Sequence, residues 1–111
     1  MAFESNLEMK NDIALITLTG ELDASVAQIL KDRIEEASAQ HARKLVLLME
    51  TLDYMSSAGL RTLVFAKQKM GSAVVIYLVG ALPNVTEAIK QTGFHHSVTM
   101  LDNYDAAVIE A

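Results

Sequence analysis

Apolar and polar residues change their spacing several times along the chain, and each change marks an element. Phe3 to Leu7 and Ile13 to Leu18 are short β-prone stretches, and the polar Lys10-Asn11-Asp12 between them suits a tight turn. They predict an antiparallel pair. Thr19-Gly20-Glu21-Leu22 then leads to Asp23, a good N-cap type. Val26, Leu30, Ile34 and Ala37 recur at helical spacing, one face of a helix running to about Gln40, with Lys31, Arg33, Glu35 and Glu36 on its solvated side. Leu45 to Met49 is apolar at every position, as a central strand covered on both faces should be. Leu60, Leu63, Val64 and Lys67 predict a second helix that stops at Gly71. Ala73 to Val79, rich in β-branched residues, reads as another buried strand. Pro83 opens a third helix at its first position, with Leu82, Val85 and Ile89 inward and Gly93 as its stop. Val98 to Leu101 is a brief last strand. Asp102, with Asp105 three residues on, caps a final helix facing inward through Tyr104, Ala107, Val108 and Ala111.

The predicted order is β-β-α-β-α-β-α-β-α. Strands alternating with single helices imply parallel pairs joined by right-handed crossovers. The expected fold class is therefore α/β: a small mixed sheet with an antiparallel first edge strand and about four helices stacked mainly on one side. With 111 residues, 51% apolar and 21% charged, the chain is expected to form one domain over residues 1–111 with a core of its own.

Charge and composition then remove several classes of function. Nine Lys and Arg against fourteen Asp and Glu leave a net charge of −5, which argues against direct nucleic-acid binding. The longest apolar runs, Leu45–Met49 and Ala73–Val79, fall far short of the roughly 20 residues a membrane span needs. Met1 to Lys10 carries acids and no apolar h-region, so no secretory signal is expected and a soluble cytoplasmic protein is. Cysteine is absent, which excludes disulfides, thiolate nucleophiles and cysteine metal ligands. Gly-rich nucleotide loops and the G-x-S-x-G elbow are missing too, since Ser56-Ser57-Ala58-Gly59 lacks the leading glycine. His95 and His96 are adjacent, so on a strand they point to opposite sides and do not share a metal; His41 sits among polar residues. No cofactor, no metal and no enzymatic activity are expected.

One passage stands out. In Asp53-Tyr54-Met55-Ser56-Ser57-Ala58-Gly59-Leu60-Arg61, two serines stand where a strand gives way to a helix. A serine hydroxyl there caps the free N–H groups of the first turn. Gly59 falls inside the helix, where glycine costs on the order of 1 kcal/mol against alanine. Either another backbone or a partner chain comes close to it. Between Asp53 and Glu87 there is no acidic residue, while Arg61, Lys67 and Lys69 lie in that stretch. The second helix is thus locally basic, either as a solvated face or as an interaction surface beside the serines.

Tyr54-Met55-Ser56-Ser57-Ala58-Gly59-Leu60-Arg61 resembles the signature of bacterial anti-sigma factor antagonists, the STAS-domain proteins. Gly20-Glu21-Leu22-Asp23 matches the family's Gly-x-Leu-Asp segment, and Gly80 to Gly93 resembles its third-helix region, so the likeness covers nearly the whole chain. The resemblance implies a βα superhelix with a small mixed sheet. It also implies partner switching. A serine-kinase anti-sigma factor of the GHKL class binds the unmodified protein and frees its sigma factor, the same kinase phosphorylates a serine and breaks the complex, and a PP2C-type phosphatase resets the cycle. ATP belongs to the partner. Aligning Gly59-Leu60 with the family form Asp-Ser-Ser-Gly-Leu puts Ser57 at the phosphoacceptor position, Ser56 where the aspartate stands and Ala58 on the second serine. Ser56 is then a minor competing acceptor. The resemblance places Asp23 beside the acceptor, where it caps the first helix, touches the partner or orients the hydroxyl. Tyr54 and Met55 serve either the core or the partner, and Ser56, Gly59 and Arg61 complete the implied partner-binding set, with Arg61 one helical turn from Ser57. A monomer is the simplest expectation. Two other outputs share this fold: a STAS adaptor switching a non-sigma target, and a small-ligand-binding STAS domain.

Overall fold

Asn11, with φ of 59°, takes the left-handed conformation that a two-residue hairpin turn needs and that Asn tolerates. It joins β1 (Glu4–Lys10) to β2 (Ile13–Leu22), which pair antiparallel with Lys10 opposite Ile13. Both strands run longer than the β-prone stretches alone predict. The computed structural model describes residues 2–111; Met1, the first of the residues expected to carry no secretory signal, lies outside them. After β2 come α1 (Ala27–Ala39), β3 (Lys44–Met55), α2 (Ser57–Met70), β4 (Val75–Val79) and α3 (Pro83–Gln91). A single 3-10 turn over Phe94–His96, β5 (Thr99–Leu101) and α4 (Ala106–Ile109) complete the order. The five strands lie in the order β1-β2-β3-β4-β5, and every pair after the first is parallel. The predicted mixed sheet with its antiparallel edge is the observed one.

The strands alternate between two faces. On one, Ala14, Ile16 and Leu18 of β2, Leu45, Leu47 and Met49 of β3 and Ile76 and Leu78 of β4 pack under three helices. Those helices contribute Leu30, Ile34 and Ala37 from α1, Leu60, Leu63 and Ala66 from α2, and Val85 and Ile89 from α3. Each large side chain fully buried here contributes about 1.5–3 kcal/mol. On the other face, Ile109 of α4 covers Ile13, Val46, Tyr77 and Val79. Lys44 donates from Nζ to the carbonyl oxygens of Ile109 and Ala111, and Glu110 accepts from Lys10 at 2.9 Å and from the Tyr104 hydroxyl at 2.7 Å. Three helices stack on one side and the short fourth on the other.

Several local expectations need correcting. Asp23 does not cap α1: its carbonyl accepts from Val26 N–H at 3.2 Å in a tight turn, and the helix starts four residues later behind Val26. Asp105, without Asp102, caps α4 by accepting from Ala107 N–H at 3.0 Å. The inward residue of α4 is Ile109; Ala107 and Val108 are exposed, because a helix of one turn has room for a single buried position. The strand begun at Leu45 continues to Met55, and the one read from Ala73 starts at Val75. His95 and His96 sit on the 3-10 turn and not on a strand, and their ring centroids are 3.9 Å apart.

Candidate functional site

The end of β3 and the start of α2 meet at Ser56. Its backbone is extended, its Oγ accepts from Gly59 N–H at 3.2 Å, and its own N–H donates to the Leu22 carbonyl at 2.9 Å. Ser56 is therefore the cap of α2, with hydroxyl and amide both engaged in local structure. Ser57 is the first residue of the helix and is exposed. It stands beside the free N–H groups of the first turn, where the helix dipole favours negative charge, and that turn carries no acid. Arg61, one turn along, is exposed and makes no ion pair among the described residues.

Gly59 explains how the helix start is held. A Cβ on it would lie 2.8 Å from both Cγ and the carbonyl oxygen of Leu22, and 3.0 Å from Cγ of Met55. The backbone that approaches it is the chain's own, at the end of β2. Gly59 and Met55 are both buried. Of the residues implied to bind a partner, these two offer it no surface; they seat the site from beneath. Tyr54 points outward with 47% of its surface exposed, a large aromatic three residues before Ser57. Asp23 is half-buried in the loop that follows Leu22, next to the Ser56 contact. The structure thus brings Asp23, Ser56 and Ser57 to one pole of the sheet, with Tyr54 and Arg61 at its margins.

Asp23 Oδ1 accepts from the Ser25 hydroxyl at 2.6 Å and from Ser25 N–H at 2.9 Å. These bonds hold its carboxyl below the ordinary carboxylate range. A carboxylate that stays ionised to lower pH when folded adds stability above its unfolded pKa and loses it as pH falls through the folded one. Ser25→Ala is expected to raise the Asp23 pKa toward the usual value in an NMR pH titration. A pKa unmoved by that substitution would mean the hydroxyl bond does not form in solution.

Two contributors carry no obvious sequence signal. Asn84, in the first turn of α3, donates from Nδ2 to the Asp53 carbonyl at 3.0 Å and ties α3 to the end of β3. Thr51 donates from Oγ1 to the Leu18 carbonyl at 2.9 Å. Only a break in the alternation after Met49 could have pointed to it. Among the described residues no group of three or more His, Asp or Glu could hold a metal, and no helix is long and apolar enough to cross a membrane.

The family model described as the STAS domain matches residues 4–107. The chain belongs to the STAS domain family. The anti-sigma-F factor antagonist RsfB of Mycobacterium tuberculosis is 30% identical to this STAS chain over 64 residues, 58% of the chain and 52% of RsfB. The matched stretch thus spans about half of that relative's length. An anti-sigma factor antagonist from Mycobacterium paratuberculosis has a crystal structure that matches this STAS fold with a TM-score of 0.89 at 20% identity, over 99% of this chain and 96% of the other. The anti-sigma factor antagonist SpoIIAA, described as a Bacillus cell fate determinant, has been solved in two forms. The unphosphorylated one matches with a TM-score of 0.74 at 21% identity over 98% of this chain and 96% of its own. The phosphorylated one matches at 0.73 and 23% over 98% and 97%. At these identities the likenesses establish a shared STAS fold.

Proposed function

We propose that this STAS chain is an anti-sigma factor antagonist that works by partner switching and is not itself an enzyme. Unphosphorylated, it binds a serine-kinase anti-sigma factor of the GHKL class and frees the sigma factor. The kinase then transfers the γ-phosphoryl group of its ATP to Ser57 Oγ. The new P–O bond forms as the bond to ADP breaks, and the hydroxyl proton leaves to a base of the kinase. A PP2C-type phosphatase hydrolyses the ester and restores the binding form.

The observation that carries this reading is the division of labour between the two serines. Ser56 is occupied as the helix cap, whereas Ser57 is exposed at the first helical position. A kinase can reach Ser57 without dismantling the helix start. The same position lets the product dianion, about −1.5 to −2 charges, sit against free N–H groups and the helix dipole. RsfB, named as an anti-sigma-F factor antagonist, supports the output.

The test is to incubate the purified chain with the kinase and ATP and locate the phosphate by mass spectrometry. One phosphate on Ser57 is expected, and none on Ser57→Ala. Modification of Ser56 alone would overturn the assignment.

A further inference from the structure

Resting on Ser57 as the acceptor, we infer that Thr51 is its positioning residue, a hydroxyl clamp that sets where the helix carrying the acceptor begins. The pairing of β2 with β3 is regular from Ile13 opposite Lys44 to Thr17 opposite Leu48. It then slips twice. Thr19 faces Thr51, and Glu21 faces Tyr54 where Gly20 faced Leu52, so β3 gains one residue on β2 at each slip. These are β-bulges, which bend a strand and re-aim its side chains. Beyond them the strands meet again with Leu22 opposite Met55, and Ser56 N–H reaches the Leu22 carbonyl.

Those two extra residues decide the geometry of the site. Each strand residue advances about 3.3 Å and inverts the side of the sheet. Without the slips, the turn into α2 would not fall beside Leu22, and Gly59 would lose the backbone it is packed against. Thr51 lies between the two slips. Its hydroxyl has one proton, which goes to the carbonyl of Leu18, the residue the register skips. The contact of 3.0 Å between Thr51 Oγ1 and Thr19 Oγ1 must then be donated by Thr19. The relay from Thr19 to Thr51 to the Leu18 carbonyl pins the first slip from the side-chain level. Neither hydroxyl is needed for burial, since Thr51 is exposed and Thr19 half-buried.

The experiment compares Thr51→Val, which keeps the shape and removes the hydroxyl, with Thr51→Ser, which keeps the hydroxyl. In amide hydrogen exchange of the chain alone, Thr51→Val is expected to speed exchange at Ser56 and Gly59 about tenfold, the scale of one lost hydrogen bond. Val46 and Leu78 should exchange as before, and Thr51→Ser should restore the slow rates. Uniform acceleration across the sheet, or no change at Ser56, would overturn the inference. With the kinase, Thr51→Val should raise the KM for Ser57 phosphorylation about tenfold while Thr51→Ser does not. An unchanged KM in the valine variant would also overturn it. Should no kinase modify Ser57, the functional reading fails, and the exchange data still decide what Thr51 does.

Discussion

A phosphoserine at position 57 is expected to weaken binding of the chain to its kinase at least a hundredfold, while Ser57→Ala binds as the unmodified chain does and accepts no phosphate. The physical reason is desolvation. A dianion under a fitted interface must shed its water, and an unpaired buried charge costs several kcal/mol. Each 1.4 kcal/mol is a factor of ten in affinity, so about 3 kcal/mol is enough. In the free chain the same charge is tolerated. It lies on the exposed first residue of α2, with no acid in that turn and with Arg61, which makes no ion pair among the described residues, one turn along. A charge at a helix N-terminus contributes about 0.3–1 kcal/mol in its favour. Calorimetric titration of the two forms against the kinase measures the switch, and thermal melting of the free forms should differ by only a few degrees. Equal affinities would remove the basis for partner switching through this serine.

Gly59→Ala is the second large effect, and its sign runs against helix propensity. In an exposed helix interior the change would stabilise by about 1 kcal/mol. Here the added carbon would press on the Leu22 carbonyl at 2.8 Å, a backbone atom with no freedom to rotate away. Overpacking of this kind costs about 1–3 kcal/mol. The loss converts to roughly 4–8 °C in melting temperature per kcal/mol for a domain of this size. Urea denaturation of Gly59→Ala beside the parent chain checks it. A more stable variant would show that α2 and the end of β2 are not held this closely. Since Ser56 donates to that same Leu22 carbonyl, the variant should also impair phosphorylation of Ser57.

How much of this the sequence carried depends on how regular each segment is. The helical spacing of Leu30, Ile34 and Ala37 gave the inner face of α1 because nothing interrupts that helix. Val46 and Leu48 alternate with Leu45, Leu47 and Met49 between two cores, so the first half of β3 read as a strand covered on both sides. Its second half did not. After Met49 the buried positions are Leu52 and Met55, a spacing of three, because each bulge turns an additional residue to solvent. A period of three matches neither strand nor helix, and the segment that aims Tyr54 and Ser57 stayed illegible for that reason. Asp23 misled in a different way. Aspartate suits a helix cap and a tight turn equally, and only Ser25, two residues on, decides for the turn. The two serines were legible as a pair at a strand–helix junction. Which of them caps and which is free emerged from the hydrogen bond to Gly59.

The cover on the second sheet face comes from residues that follow every strand in chain order. As the polypeptide leaves the ribosome, all five strands emerge before Ile109 does. Until then Ile13, Val46, Tyr77 and Val79 have no helix over them. A chain cut short before Tyr104 would lack that cover and leave Ile13, Val46, Tyr77 and Val79 as a bare apolar patch, a target for aggregation or chaperone binding.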